Sequence, residues 1–165
     1  MCRWLAYAGG PIYLQELILR PRHSLIDQSL SARSSRTSTN ADGFGVGWYD
    51  GTESPGLYKH IQPAWSDPNL IDLCRHVRSP LFLAHVRAAT RTATQYSNCH
   101  PFRHGRWLFV HNGEIHGWNK VRRELVLEIP ADLFQGVEGT TDSEVIFHLA
   151  LGFGLEQDVR GALER

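Results

Sequence analysis

Between Asp42 and Tyr49 the chain alternates glycine with Phe44, Val46 and Trp48, and this segment constrains the fold more than any other. A period of two is the signature of a β-strand, here with large apolar side chains on one face and almost nothing on the other. Such a bare face permits close approach of another backbone or of a ligand. The segment is glycine-rich, but no helix follows it and no Gly-x-Gly-x-x-Gly joins a strand to a helix. A dinucleotide-binding reading is therefore rejected.

Around this strand the pattern predicts others at residues 3–8, 57–61, 80–88 and 106–110. Gly9-Gly10-Pro11 is expected to end the first, and residues 80–88 are apolar enough to be central. Helices are predicted over residues 12–19, from Ser66-Asp67-Pro68 through Ile71, Leu73 and Val77, and over 118–129. A further helix starts at Thr141-Asp142-Ser143-Glu144, which has the form of a capping box, and continues through Val145, Ile146, Leu149 and Phe153. Residues 23–40 and 90–102 read as irregular, and the polar stretch 31–40 reads as a mobile loop. Several strands follow one another without helical crossovers. The fold class predicted is α+β with largely antiparallel sheet.

The 165 residues fit a single domain spanning 1–165, and with 42% apolar residues a real core is expected. Acids and bases balance at 17 each, which argues against a nucleic-acid binder working through a broad basic field. No apolar run is long enough to span a bilayer, and no secretory signal opens the chain. Three cysteines at wide spacing, with no Cys-x-x-Cys, make neither a disulfide framework nor a zinc ribbon. A reducing cytoplasm is the expected location.

Candidate chemistry starts at Cys2. Initiator methionine is normally trimmed before a small residue, and trimming leaves a thiol on the residue that also carries the chain's α-amine. An α-amine titrates at roughly 7.7–8.0, so one residue supplies nucleophile and base. Position alone decides little, and other segments must add weight. In His85-Val86-Arg87-Ala88-Ala89-Thr90, which closes an apolar strand, Arg87 has the planar fork suited to a carboxylate; the ordinary fate of an arginine is a surface ion pair. His85 shares a strand face with Arg87. In Asn98-Cys99-His100-Pro101-Phe102, Cys99 reads as a buried small hydrophobe and His100 as a pocket or packing residue. His111-Asn112-Gly113-Glu114 is first a hairpin signal. The same turn can present the Asn112 amide and the Gly113 N–H to one anionic oxygen. Asp142 sits in a helix first turn, where a carboxylate favours the helix dipole and could also hold an ammonium.

Taken together in this order, Cys2, the NADGFGVGWY segment from Asn40 to Tyr49, and the four later segments resemble the class II glutamine amidotransferases, which are N-terminal nucleophile hydrolases. The likeness runs from Cys2 to about Phe153. Cys2-Arg3 and the NADGFGVGWY segment look closest to the stand-alone branch that includes the γ-glutamyl hydrolase of the ergothioneine pathway. The resemblance implies a four-layer α-β-β-α sandwich of antiparallel sheets and no metal or organic cofactor. It implies that Cys2 attacks the γ-carbonyl of glutamine or of a γ-glutamyl compound. Asn112 and the Gly113 N–H would hold the oxyanion. Arg87 would bind the substrate α-carboxylate and Asp142 its α-ammonium, with the Gly113 carbonyl sharing that ammonium. The implied partner is thus a small γ-glutamyl substrate, with no nucleic acid and no membrane.

One departure stands out. The family continues past the helix after the aspartate, adding strands to the second sheet, whereas this sequence stops at Arg165. The C-terminal part of the domain is expected to be missing. Unpaired sheet edge or apolar surface is then expected, with self-association or a partner subunit as the outcome. The alternative function is a catalytically inactive or truncated binding module of the same fold. A metal site is the reading from another class, since His100, His104, His111 and His116 lie near Cys99, but no pair has the spacing of a zinc motif.

Overall fold

The computed structural model describes residues 2–30, 40–89 and 92–165. The polar loop predicted at 31–40 lies, except for Asn40, outside the described residues. The chain divides into two compact units, the first ending at Asn112 and the second comprising Gly113–Arg165.

In the first unit a four-stranded antiparallel sheet has the order β1-β4-β2-β3. Its strands are β1 (Arg3–Tyr13), β2 (Phe44–Tyr49), β3 (Gly56–His60) and β4 (Arg78–Val86). The apolar β4 is paired on both sides, as expected of it. Period-two alternation sends Phe44, Val46, Phe82, Ala84 and Val86 to one face, where all are buried. Three helices cover that face: α1 (Gln15–Ile18), α2 (Leu25–Leu30) and α3 (Pro68–His76). They contribute Ile18, Leu25, Leu70 and Cys74 to the same core. Each fully buried aliphatic or aromatic side chain contributes about 1.5–3 kcal/mol. The start of α3 is as its sequence predicts. Pro68 opens the first turn, and Asp67 caps it by accepting a hydrogen bond from the Leu70 N–H at 2.9 Å.

The opposite face carries the glycine stripe, and a second layer is seated on it. That layer includes a hairpin of β5 (Phe102–His104) and β6 (Trp107–Phe109), turned at Gly105 with φ +52°. A Cβ on Gly47 would lie 2.6 Å from Leu108 Cδ1, and one on Gly45 only 2.2 Å from the His100 carbonyl oxygen. The bare face of β2 is thus the contact surface between the sheet and this layer. Farther along the same face, Ala6 and Ala8 are exposed. So are Trp4 (52%) and Leu81 (40%), and the outer edge of β1 has no partner strand among the described residues.

The second unit is helical: α4 (Trp118–Leu127), α5 (Ala131–Phe134), α6 (Asp142–Gly152) and α7 (Val159–Leu163). Ile129, Val145 and Leu149 form its small core, with Trp118, Leu125, Val126, Leu133 and Val137 packed around them. Thr141 caps α6 by accepting from the Glu144 N–H at 3.2 Å. The buried Glu144 carboxylate in turn accepts from the Glu138 and Gly139 N–H groups, fastening the loop that leads into the helix. No helix among the described residues is long and apolar enough to cross a membrane.

Four local expectations need correction. Gly9-Gly10-Pro11 does not end the first strand, which runs on to Tyr13 with a register shift between Ala8 and Ile12. An edge strand tolerates the missing proline N–H and a local irregularity. Ile12 and Tyr13 pair with Ser79 and Arg78 as strand, so the helix predicted over 12–19 shrinks to Gln15–Ile18. Residues read as irregular contain the helix Leu25–Leu30, begun by Ser24, whose hydroxyl accepts from the Asp27 N–H. Asn112-Gly113 makes no hairpin, since no strand follows it among the described residues; the hairpin lies one step earlier, at Gly105.

Candidate functional site

Cys2 precedes β1, and the antiparallel register that pairs Arg3 with Val86 carries it to the end of β4. There the Ala88 N–H donates to Cys2 Sγ at 3.3 Å, and the thiol lies 3.6 Å from the Ala88 carbonyl oxygen. Beyond Val86 the ladder has ended, so this N–H has no strand partner and points at sulfur instead. Asn112, 110 residues away in sequence, donates from Nδ2 to the Cys2 carbonyl oxygen at 3.1 Å. Cys2 and Asn112, singled out from sequence, are therefore neighbours.

Arg87 is 4% exposed. Its guanidinium donates to the Asp42 carbonyl oxygen at 3.3 Å and to the carbonyl and hydroxyl oxygens of Thr92. Among the described residues it has no carboxylate within salt-bridge distance. A guanidinium buried against neutral acceptors is a costly arrangement that an anionic ligand relieves. The backbone holds it firmly: Arg87 N–H donates to Gly43 O at 2.8 Å and Asp42 N–H to Arg87 O at 3.2 Å. Thr90, quoted in the same motif, lies outside the described residues.

His85, two residues before Arg87 on the same strand face, is 1% exposed and packs against His100, with ring centroids 4.4 Å apart and the planes tilted by 31°. None of their four ring nitrogens has a hydrogen-bond partner among the described residues. Burial pushes His85 from its ordinary 6.5 down to about 3, and the positive Arg87 adds to the shift. Burial holds His100 well below the usual range, with His85 contributing. Both rings are thus neutral near neutral pH, as packing groups. Unfolding exposes imidazoles that take up protons below about 6.5 while the folded chain does not, so stability falls as pH drops. For His85 alone the loss reaches about 1.4 kcal/mol per pH unit, until it levels off near 3. We expect the thermal midpoint to fall steeply from pH 6.5 to 4, with a shallower slope in His85→Gln. Equal slopes would remove this account.

The other two thiols are buried, which disfavours their thiolates. Cys74 is buried and pushed up to about 12, and Cys99, also buried, is raised by the same desolvation. Among the described residues no group of three or more His, Cys, Asp and Glu side chains is arranged to hold a metal ion.

Gly113 and Asp142 belong to the second unit. Asp142 opens α6, and its Oδ2 accepts from the Ile115 N–H at 2.7 Å while Oδ1 accepts from the Ser143 N–H at 2.8 Å. The carboxylate thereby holds the backbone at Ile115, just ahead of the turn at His116 and Gly117. Sequence reasoning missed Asp42 as a site residue, although its carboxylate meets the segment bearing the Ala88 N–H. Its only local signal was an aspartate ahead of a glycine, which ordinarily marks a turn.

Residues 21–158 match the family model described as glutamine amidotransferases class-II. The chain is 40% identical over 160 residues to the probable glutamine amidotransferase DUG3 of Saccharomyces cerevisiae, covering 92% of this chain and 45% of that protein. It is 32% identical over 158 residues to the gamma-glutamyl-hercynylcysteine sulfoxide hydrolase of Mycolicibacterium smegmatis, covering 94% and 65%. The solved structure of a glutamine aminotransferase class-II domain protein from Silicibacter pomeroyi matches with TM-score 0.74 and 40% identity, over 99% of this chain and 60% of that one. The chain therefore spans about half to two-thirds of the length of these relatives. The antiparallel sheets and the matched structure agree with the N-terminal-nucleophile type of fold. On the match over residues 21–158 and the identity to these relatives, the chain belongs to the class II glutamine amidotransferases.

Proposed function

We propose that this protein hydrolyses the γ-amide of glutamine or of a γ-glutamyl compound through a thioester on Cys2. The observation that carries the reading is the setting of one sulfur, which accepts the Ala88 N–H at 3.3 Å on a residue whose carbonyl accepts the Asn112 amide at 3.1 Å. Removal of Met1 frees the Cys2 α-amine as base. The amine takes the thiol proton as sulfur attacks the γ-carbonyl carbon. A C–S bond forms, and the carbonyl electrons move to oxygen. The amide group of Asn112 carries two N–H donors, of which one serves Cys2 O. The second, with the Gly113 N–H, stabilises that oxyanion. Collapse breaks the C–N bond, and the leaving amine takes its proton from the α-ammonium. Water, activated by the same amine, then adds to the thioester and releases glutamate and the free thiol.

Specificity for a γ-glutamyl group follows from the amino-acid head. The buried Arg87 fork suits the α-carboxylate, since its five N–H donors outnumber the three oxygens it meets. Asp142, with the Gly113 carbonyl, is assigned the α-ammonium. Fixing both charges also places the scissile bond for attack. The relatives' names support the γ-glutamyl substrate class. The proposed location is the cytoplasm, in keeping with thiols that are all free.

The test is glutamate release from glutamine and a panel of γ-glutamyl peptides and thiol conjugates, alongside labelling by a glutamine-analogue electrophile such as diazo-oxo-norleucine. We expect glutamate from at least one compound and label on Cys2 alone. Label on Cys74 or Cys99, or no glutamate from any compound, contradicts the proposal.

A further inference from the structure

We propose that Asp42 is a positioning residue for the Cys2 thiol, a role that rests on the hydrolase reading above. The chain of contacts is short. Asp42 Oδ2 accepts from the Ala89 N–H at 2.8 Å, 47 residues away in sequence. Oδ1 receives the Thr94 hydroxyl at 3.3 Å. The Ala89 N–H belongs to the same planar peptide group as the Ala88 carbonyl. Fixing one end of that plane therefore fixes the other, and the Ala88 carbonyl oxygen is the atom 3.6 Å from Cys2 Sγ. The Ala88 N–H, two rotatable bonds back along the chain, donates to the same sulfur at 3.3 Å.

The place in the fold shows why a side chain is needed there. Up to Val86, β4 is held by ladders on both sides. Arg87 still exchanges backbone bonds with Asp42 and Gly43. Ala88 and Ala89 lie past the last rung, where a free strand end would swing. The Asp42 carboxylate substitutes for the missing rung at Ala89. An aspartate whose task was only to shape its own turn would bond backbone one or two residues ahead. This one reaches across to the segment that carries both sulfur contacts. The Asp42 carboxylate bonds neither Cys2 nor Arg87; the contact with the Arg87 guanidinium is made by the Asp42 backbone carbonyl, which side-chain substitution keeps. It acts through the Ala88–Ala89 peptide.

The experiment uses the full chain and three variants: Asp42→Ala, Asp42→Asn and Asp42→Glu. The asparagine keeps an oxygen acceptor at the same reach without the charge. The glutamate keeps the charge and lengthens the reach. Three quantities are measured: kcat and KM for glutamate release, and the second-order rate constant of Cys2 alkylation by iodoacetamide, which needs neither substrate recognition nor turnover. Both rate constants are expressed per folded molecule from circular dichroism. A misplaced nucleophile costs up to about 100-fold, so we expect D42A to lose about that much kcat with KM within about threefold. D42N should return to within about tenfold of the parent, and D42E should be slower than D42N. Alkylation should follow the same order. Alkylation rates equal to the parent's in D42A overturn the proposal, as does D42N matching D42A, or a raised KM at unchanged kcat. Should D42A not fold, the order of D42N and D42E decides, and D42E equal to or faster than D42N overturns it. If the parent hydrolyses no γ-glutamyl compound, the hydrolase reading fails while the alkylation series still tests the positioning.

Discussion

Alanine at position 2 is expected to leave the fold intact and to abolish glutamate release, by at least about 10⁴-fold. The thiol is half-buried ahead of β1 and contributes no side chain to the apolar core, so its loss costs the sheet little. The chemical loss is of another order. In the proposed mechanism no sulfur means no thioester, and groups that only bind substrate do not replace it. Parallel melting curves and glutamate assays on the parent and Cys2→Ala check both halves. Activity within about tenfold of the parent would remove Cys2 from the chemistry. Cys2→Ser separates sulfur from amine, since it keeps the α-amine and replaces an ionisable thiol by a hydroxyl of far higher pKa; we expect it to lie close to the alanine variant.

The second large effect falls on stability rather than chemistry. A methyl group at Gly45 would sit 2.2 Å from the His100 carbonyl oxygen, 3.1 Å from its carbon and 2.9 Å from Lys59 Cγ. The lysine stem can move aside, but the His100 backbone cannot do so without shifting the second layer off the sheet. We expect Gly45→Ala to destabilise by about 3 kcal/mol or more. Gly10→Ala is the matched control, because nothing lies within 4 Å of its new Cβ. Its effect should stay within about 0.5 kcal/mol. Urea unfolding midpoints for the two variants check this. Equal midpoints would mean that the second layer does not rest on the glycine stripe.

The glycine stripe also shows what the amino-acid pattern could and could not disclose. Alternation of Gly45 and Gly47 with Phe44, Val46 and Trp48 predicted both a strand and a bare face, because those properties depend only on residues two apart. The central position of β4 and the Asp67-Pro68 helix start were legible for the same local reason. What packs against the bare face was not legible: the contact with His100 spans more than fifty residues of chain. The prediction of helix at 12–19 was over-long because it ran across Ile12 and Tyr13, which favour strands and pair with β4. Cys2, Arg87, Asn112, Gly113 and Asp142 were singled out because their order along the chain is distinctive, and the structure makes Cys2 and Asn112 neighbours. Asp42 was quoted in the same motifs and passed over. Its work is done through the Ala89 peptide, and an alanine has no side chain to announce that its backbone matters.

The central claim is that sulfur of an N-terminal Cys2 carries the acyl group. Enzyme turning over glutamine, or the best γ-glutamyl compound of the panel, can be quenched in acid and its peptides weighed by mass spectrometry. The account predicts a γ-glutamyl adduct on a peptide that begins at Cys2, lacks Met1 and loses the adduct on treatment with hydroxylamine. An active enzyme that retains Met1, or an adduct on Cys74 or Cys99, would contradict it.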